Sequence, residues 1–317
     1  MTFQSKSELF FTRNNPEDIR LGDLAADCSK TFTGKKTRNV FSILGTPDDE
    51  GIKRNGGRPG ADLAPDIIRS YFYKFTPPML NPDLTLLDYG DLDGTTGTLE
   101  DRHQEIENWC YQQTKDNQFF IRWGGGHDYG FPDSSGFIKA NLERKSLKPL
   151  VINFDAHLDV RPYNKGAHSG SPFRQLLEKY PQQFDFWEVG LQPQCNSRTY
   201  WNWATDQKAV IIPLEVIEQK GLLQVFTESL EKDLERPVFL SIDLDAFTSN
   251  EAPGCSQSWT TGLRTQDFLP ALRWLMQSFN VQGVGLYEVS PPYDQDNKTS
   301  KLAALLSFHA MFEKIKE

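Results

Sequence analysis

Short runs of apolar residues alternate along the chain with longer amphipathic stretches. Eight of the short runs are apolar at nearly every position, which is typical of strands buried on both faces, as in a parallel sheet. These predicted strands are residues 40–44, 84–89, 119–123, 150–154, 186–191, 210–213, 238–242 and 284–289. The amphipathic stretches predict helices over residues 62–73, 100–114, 134–144, 175–180, 214–234, 265–279 and 300–315.

This alternation predicts an α/β fold with a doubly wound, mostly parallel sheet. Neither an internal repeat nor a Gly/Ser-rich or Pro-rich linker divides the chain, so a single domain is the simpler interpretation. Residues 1–38 are polar and are assigned to an N-terminal extension or an opening helix, in either case without chemistry. The alternating charges of residues 228–236 predict a solvated helix face.

The composition is globular with an acidic balance. The 317 residues include 34 Lys and Arg against 43 Asp and Glu, a formal net charge of −9. That sign argues against nucleic acid or an anionic membrane as the main partner. No apolar run approaches the ~20 residues of a membrane helix, and the N-terminus lacks the apolar core of a signal peptide. The four cysteines are scattered without a CxxC pair, so we expect a reducing, cytoplasmic location.

Acidic residues and histidines directly follow three of the predicted strands. They lie in the segments Gly124-Gly125-Gly126-His127-Asp128, Asp155-Ala156-His157-Leu158-Asp159 and Asp243-Leu244-Asp245. Functional loops of such sheets sit at the carboxyl ends of the strands, and side chains of extended chain alternate faces. We therefore expect Asp155, His157 and Asp159 to point one way on an extended backbone, as do Asp243 and Asp245. The glycines before the first histidine allow a sharp turn and a close backbone approach.

Several carboxylates in one cleft are costly, because burial and like-charge repulsion both oppose ionisation. Two divalent cations would balance them. Carboxylate and imidazole ligands without thiolate suit Mn²⁺, with Fe²⁺, Co²⁺, Ni²⁺ or Zn²⁺ as further candidates. A water between two such ions is acidified to hydroxide near neutral pH, so the pattern predicts a hydrolase. The predicted metal ligands are His127, Asp155, His157, Asp159, Asp243 and Asp245.

Other interpretations use the same residues. A metallophosphoesterase also combines Asp-x-His with Gly-x-His-Asp, but it places Asp-x-His first, which is the reverse of the order here. A phosphate-binding glycine loop lacks the Lys-Ser/Thr pair and the GxGxxG spacing. A non-catalytic protein used for binding or assembly would have little reason to keep all six costly ligands.

The constellation resembles the arginase/agmatinase family of ureohydrolases. The matching segments are Gly125-Gly126-His127-Asp128, Asp155-Ala156-His157-Leu158-Asp159, Ser241-Ile242-Asp243-Leu244-Asp245 and Glu288-Val289-Ser290-Pro291-Pro292, supported by Asp49-Glu50-Gly51, Asn55-Gly56-Gly57-Arg58-Pro59-Gly60-Ala61 and Ala252-Pro253-Gly254. The resemblance implies a three-layer αβα, arginase-like fold with an eight-stranded, mostly parallel sheet. It also implies a catalytic domain over residues 39–317, a small-molecule substrate and a homo-oligomer.

The resemblance also implies roles for individual residues. One Mn²⁺ would be held by His127, Asp155, Asp159 and Asp243, and the other by Asp155, His157, Asp243 and Asp245. Two further roles are catalytic: Asp159 would move a proton, and Glu288 would pair with the cationic amidine or guanidine group of the substrate.

The loop after the second ligand segment, residues 160–174, bears on the substrate. Arginases and agmatinases carry a histidine just before a glycine in this loop, whereas here Ser169 precedes Gly170 and His168 lies one place earlier. His168 is therefore the candidate for a displaced proton shuttle. The loop most resembles that of the formimidoylglutamases, which cleave N-formimidoyl-L-glutamate to L-glutamate and formamide in histidine breakdown.

A substrate with two carboxylates needs basic and hydroxyl groups near the metals. The loop offers such groups in Arg161, Tyr163, Lys165, Ser169, Ser171 and Arg174. The predicted substrate contacts are Arg161, Tyr163, Ser169 and Arg174. The alternative is a ureohydrolase that releases urea from agmatine, arginine, a guanidino acid or guanidine.

Overall fold

A computed structural model of the chain describes residues 3–29, 39–79, 83–94 and 97–315. The strands are β1 (Phe3–Gln4), β2 (Ala25–Asp27), β3 (Asn39–Gly45), β4 (Leu84–Leu92), β5 (Phe119–Trp123), β6 (Leu150–Phe154), β7 (Asp185–Leu191), β8 (Val210–Pro213), β9 (Asp233–Asp243) and β10 (Phe279–Tyr287). The α-helices are α1 (Leu21–Leu24), α2 (Glu50–Arg54), α3 (Ala64–Phe72), α4 (Leu99–Lys115), α5 (Gly130–Glu143), α6 (Pro172–Lys179), α7 (Arg198–Asp206), α8 (Leu214–Lys220), α9 (Leu222–Ser229), α10 (Thr265–Ser278) and α11 (Lys298–Lys314).

All of these strands belong to one sheet, in the order β1-β4-β3-β5-β10-β9-β6-β7-β8, with β2 paired to β4. Every pairing is parallel except that of β1 with β4. The eight predicted strands are all present. The described part of the chain adds β1 and β2, which are too short to show a hydrophobic pattern in the sequence.

Strand side chains alternate between two hydrophobic layers, one on each face of the sheet. In β6, Ile152 and Phe154 enter the first layer and Val151 enters the second. Helices α3 and α8–α11 close the first layer, and α4–α7 close the second. The predicted three-layer αβα architecture is therefore confirmed. Within the described ranges, no helix combines the length and apolar character needed to cross a bilayer.

The predicted helix over residues 214–234 is wrong as a single element. Helix α8 ends before Gly221, whose φ of +85° is unfavourable for residues with a side chain, and α9 ends at Ser229. The charges of residues 228–236 do not line a helix face, because β9 begins at Asp233 and its first residues are largely exposed. Helices α2 and α7 were not predicted.

A buried ionic cluster ties the second helix layer to the centre of the sheet. Asp133 on α5 accepts hydrogen bonds from Arg122 Nε on β5 (3.0 Å) and from Tyr287 Oη on β10 (2.6 Å). All three side chains are fully buried. The Tyr287 ring stacks on the imidazole of His127, with ring centroids 4.8 Å apart. The cluster therefore fixes the position of the ring that packs against His127, one of the predicted metal ligands.

We expect Asp133→Asn to destabilise the fold by about 3–5 kcal/mol, because it leaves the Arg122 guanidinium buried without a countercharge. Urea denaturation followed by circular dichroism measures the loss. The matched control is Glu313→Gln, which breaks the exposed pair with Arg273 and should cost no more than about 1 kcal/mol. Equal losses in the two variants would contradict a structural role for the cluster.

Candidate metal centre and substrate cleft

Four neighbouring strands deliver the predicted site residues to one edge of the sheet. In the order β5-β10-β9-β6, His127 follows β5, Glu288 follows β10, Asp243 ends β9, and Asp155 follows β6. The carboxyl ends of adjacent parallel strands meet at one edge, which brings residues distant in the sequence together.

One group of side chains converges on His127. Its Nδ1 lies 3.0 Å from Asp155 Oδ2, 3.2 Å from Asp159 Oδ2 and 3.0 Å from Asp243 Oδ2. All four side chains are buried or nearly so, with Asp159 the most exposed at 11 %. Three carboxylates thus face one imidazole nitrogen.

A second group shares Asp155 with the first. His157 Nδ1 lies 3.4 Å from Asp155 Oδ1 and 3.1 Å from Asp245 Oδ2. In each group, ligand atoms lie within 4.8 Å of one another: His127, Asp155 and Asp159 in one, and Asp155, His157 and Asp245 in the other. The six predicted ligands therefore form two adjoining clusters, and Asp155 belongs to both.

The expected extended backbone under these ligands is wrong. Strand β6 ends at Phe154, and residues 155–159 turn away from strand geometry, with φ of +48° at Asp159. The carboxylate of Asp155 accepts from the backbone N–H of His157 at 2.7 Å, and Asp243 does the same for Asp245 at 2.8 Å. The ligands therefore converge through turns pinned by their own side chains.

The glycines before His127 serve close approach, as predicted. A Cβ at Gly125 would lie 1.7 Å from the backbone oxygen of Asp48, so a larger residue would displace the segment. Glu288 lies against the same segment: its N–H donates to Gly125 O at 2.9 Å, and its Oε1 accepts from the His127 N–H at 3.0 Å. Its φ of +62° is rare for a residue with a side chain and is held by these contacts.

Burial disfavours the charged forms of these clustered carboxylates. It raises the pKa of Asp245 to about 6 and that of Glu288 to about 8, and neighbouring carboxylates add to both shifts. Burial likewise raises the pKa of Asp243 well above its usual range. The pKa of His127 is also raised: burial lowers it, but the facing carboxylates outweigh burial and raise it well above its usual value. A positive charge beside these carboxylates would stabilise their ionised forms.

The donor set fits divalent cations. The buried His127 Nδ1 makes no hydrogen bond, although three carboxylate oxygens lie within 3.2 Å of it, and Asp245 Oδ1 is also buried without a partner. The other nitrogen of the His127 ring lies 2.9 Å from Ser241 Oγ, which orients Nδ1 towards the carboxylates. Imidazole nitrogens with carboxylate oxygens form the ligand set that Mn²⁺ accepts.

Four of the six clustered ligands form the floor of a cleft of about 340 Å³, whereas His127 and Asp155 are not in its lining. Predicted residues that line it are His157, Asp159, Arg161, Ser169, Asp243, Asp245 and Glu288. Arg161 donates through Nη1 to Asn55 Oδ1 at 3.2 Å, and no carboxylate among the described residues lies within 4 Å of its guanidinium. Its charge therefore remains available in the cleft.

Other predicted residues do not line the cleft. Tyr163 Oη donates to Glu178 at 2.9 Å, and Arg174 Nε donates to the same carboxylate at 2.6 Å. The Arg174 guanidinium also stacks on the Trp203 ring at 3.9 Å. His168 uses both ring nitrogens on its own loop, at Pro162 O and the Gly170 N–H. Lys165 and Ser171 also lie outside the lining.

Several lining residues were not predicted. They are polar, small or aromatic residues from three segments: Asn55, Gly56, Gly57, Gln194, Cys195, Ser256, Gln257 and Trp259. Gln194 and Cys195 follow β7, so the rule that functional loops sit at strand carboxyl ends would have found them. Asn55 was noticed only as part of a sequence motif.

Comparison with known proteins agrees with this geometry. A sequence model of the arginase family matches residues 39–313. The chain is 31 % identical over 280 residues to the formimidoylglutamase of Streptococcus pyogenes serotype M5, an alignment that covers 85 % of this chain and 83 % of that protein.

Two solved structures are similar in fold. The Trypanosoma cruzi formiminoglutamase with Mn²⁺ has a TM-score of 0.79 and 28 % identity, and the match covers 93 % of this chain and 98 % of that one. The formimidoylglutamase from Bacillus subtilis has a TM-score of 0.81 and 26 % identity, covering 96 % and 94 %. The matched range includes every predicted metal ligand, and the chain belongs to the arginase family.

Proposed function

We propose that this protein is a manganese-dependent formimidoylglutamase. It would cleave the C–N bond between the formimidoyl carbon and the amino nitrogen of N-formimidoyl-L-glutamate, giving L-glutamate and formamide. The observation that carries the proposal is the pair of histidine–carboxylate clusters beneath a cleft that holds Arg161, whose guanidinium has no acidic partner among the described residues. Relatives that bear this activity in their names support it.

Two Mn²⁺ ions would be held by the six clustered side chains. Following the family resemblance, Asp155 and Asp243 would each contact both ions, His127 and Asp159 would complete one set, and His157 and Asp245 the other. When bound, the ions acidify water to a nucleophile near neutral pH and stabilise negative charge that develops during its attack. The shared position of Asp155 supports this arrangement.

Glu288 would bind the cationic amidine end of the substrate. The backbone N–H of His127 fixes one of its carboxylate oxygens, and the side chain lines the cleft beside the clusters. Burial raises the pKa of this carboxyl to about 8, and an amidinium partner would favour its charged form. Glu288 would thereby orient the formimidoyl carbon over the metal floor.

Asp159 would handle the proton that the departing amino group requires. It belongs to the cluster around His127 and lines the cleft, and burial together with Asp155 raises its pKa. A carboxyl with a raised pKa can take a proton from the attacking water and give it to the leaving nitrogen. His168 is not needed for this step, because its ring faces its own loop.

Arg161 and Ser169 would bind substrate carboxylate. Both line the cleft, and the guanidinium has no acidic partner among the described residues. A bidentate contact between a guanidinium and a carboxylate supplies orientation as well as affinity. The positive charge at the cleft mouth favours an acidic amidine over agmatine, whose far end is cationic.

We also propose that residues 39–317 form the catalytic domain, with residues 1–38 as an extension, and that the enzyme is a cytoplasmic homo-oligomer. The family match over residues 39–313 supports the first part. Cys110, Cys195 and Cys255 form no disulfide among the described residues, which supports a reducing compartment. Assembly is proposed from the family resemblance alone.

The function is tested with the Mn²⁺-loaded protein and a panel of N-formimidoyl-L-glutamate, agmatine, arginine, guanidinobutyrate and guanidine. We expect formamide and glutamate in equal amounts from the first and no urea from the others. Mass spectrometry and a urea assay measure the products. Urea release from a guanidine as the main activity would replace this proposal with a ureohydrolase.

We expect Asp243→Ala to lose bound manganese and activity together, because this carboxylate faces the metal-ligand nitrogen of His127 and is proposed to contact both ions. Metal content is measured by plasma mass spectrometry after desalting, and activity by formamide release. The control is Asp206→Ala, an exposed aspartate at the end of α7, which should keep both. Full metal content in Asp243→Ala would contradict the ligand assignment.

We expect Arg161→Ala to raise KM for N-formimidoyl-L-glutamate by roughly 10- to 100-fold, the value of losing a charged hydrogen-bonded contact of about 1.5–3 kcal/mol. Manganese content should stay at the wild-type level. Steady-state kinetics and metal analysis on the same preparation separate the two effects. An unchanged KM would remove Arg161 from the substrate site.

A further inference from the structure

The side-chain amide of Asn55 lies between the two cleft residues proposed to bind carboxylate. Its Oδ1 accepts from Arg161 Nη1 at 3.2 Å, and its Nδ2 donates to Ser169 Oγ at 3.1 Å. Both ends of the amide are therefore used, which fixes its orientation. Asn55 itself lines the cleft.

Backbone hydrogen bonds at the end of α2 and in the loop of residues 160–174 fix the positions of Asn55, Arg161 and Ser169. The N–H of Asn55 caps α2 by donating to Gly51 O at 3.1 Å, and the same carbonyl accepts from the N–H of Ser169, also at 3.1 Å. In the loop, the N–H of Arg161 donates to Gly170 O at 2.8 Å. A Cβ at Gly170 would lie 3.0 Å from both Asn55 Nδ2 and Arg161 Cδ, so glycine permits this close packing.

An amide at this position differs from a carboxylate in one physical respect. A neutral oxygen accepts a hydrogen bond from the guanidinium without cancelling its charge, whereas a carboxylate would form a salt bridge and compete with the substrate. Arg54, on the same helix, shows the second case: its guanidinium lies 2.6 Å from both Glu50 and Glu100. Arg161 is held in place and stays positively charged.

We propose that Asn55 is a positioning residue that anchors Arg161 through a neutral contact and thereby makes the cleft select amidines that carry a carboxylate. This inference rests on the proposed function for the identity of the amidine. The preference for an acidic substrate would then depend on the Asn55 amide, which itself carries no charge.

The test compares Asn55→Asp with Asn55→Ala in the Mn²⁺-loaded enzyme. Asn55→Asp keeps the shape and the anchoring oxygen but adds a negative charge, and it should raise KM for N-formimidoyl-L-glutamate about tenfold or more, with kcat nearly unchanged. Asn55→Ala removes the anchor and leaves the charge of Arg161 free, so its KM should rise less. A purely structural role predicts the reverse order, because the isosteric variant would be the milder one.

Two controls separate charge selection from general damage. N-methylformamidine has the amidine but no carboxylate, so its kcat/KM should fall far less in Asn55→Asp than that of N-formimidoyl-L-glutamate. Asn164→Asp makes the same chemical change in the same loop outside the cleft lining and should leave KM unchanged. Equal losses on both substrates, or a KM in Asn55→Asp no higher than in Asn55→Ala, overturn the inference.

Calorimetry with L-glutamate and the Mn²⁺-loaded protein measures the affinity of the proposed carboxylate-binding site without turnover. Affinity should fall in the order wild type, Asn55→Ala, Asn55→Asp. If glutamate affinity follows this order across the three proteins but the wild type does not hydrolyse N-formimidoyl-L-glutamate, the proposed function fails and the inference stands. If the wild type hydrolyses the substrate but the order is absent, the inference fails and the function stands. Wild-type protein that does not bind glutamate overturns the inference.

Discussion

Mutual repulsion among four aspartates held at one edge of the sheet is the constraint on which the site depends. Asp155, Asp159, Asp243 and Asp245 lie within a few ångströms of two imidazoles, in surroundings that exclude most water. Burial of these groups favours their neutral forms, so bare carboxylates would weaken the fold that gathers them. Divalent cations reverse that balance, because each replaces several repulsions with attractions. The same positive charge then serves hydrolysis, so stability of the floor and chemistry have one source.

The rest of the fold supplies a rigid support for this arrangement. Parallel strands end at a common edge, and two hydrophobic layers lock their positions. Beneath the edge, Arg122, Asp133 and Tyr287 form a closed ionic cluster whose tyrosine ring stacks on His127. Above it the chain is irregular: the left-handed backbone at Asp159 and Glu288 aims side chains that a regular strand would direct elsewhere. The rigid sheet fixes where each strand ends, and the irregular backbone after the strands directs the ligand side chains towards one another.

The sequence was sufficient for those features that depend on local pattern. Continuous apolar runs predicted the eight main strands, and acidic residues at their ends identified the residues that cluster. Features that depend on distant contacts were not predictable. Gly221 divides a stretch whose composition is helical throughout, and nothing local shows its φ of +85°. The same basic and hydroxyl chemistry that indicated Arg161 and Ser169 also indicated Tyr163 and Arg174, which the fold instead engages with Glu178. Asn55 was missed because its partner Arg161 lies 106 residues away in the sequence.

That separation has a consequence for how selectivity can change in this enzyme family. The guanidinium of Arg161 lies on one loop and its anchor Asn55 lies on another, so neither segment carries the whole of the proposed recognition element. Transplanting residues 160–174 alone into a related scaffold would deliver an arginine without its support. With the proposed anchoring, divergence towards a new amidine would require paired substitutions, and the two positions would covary among relatives.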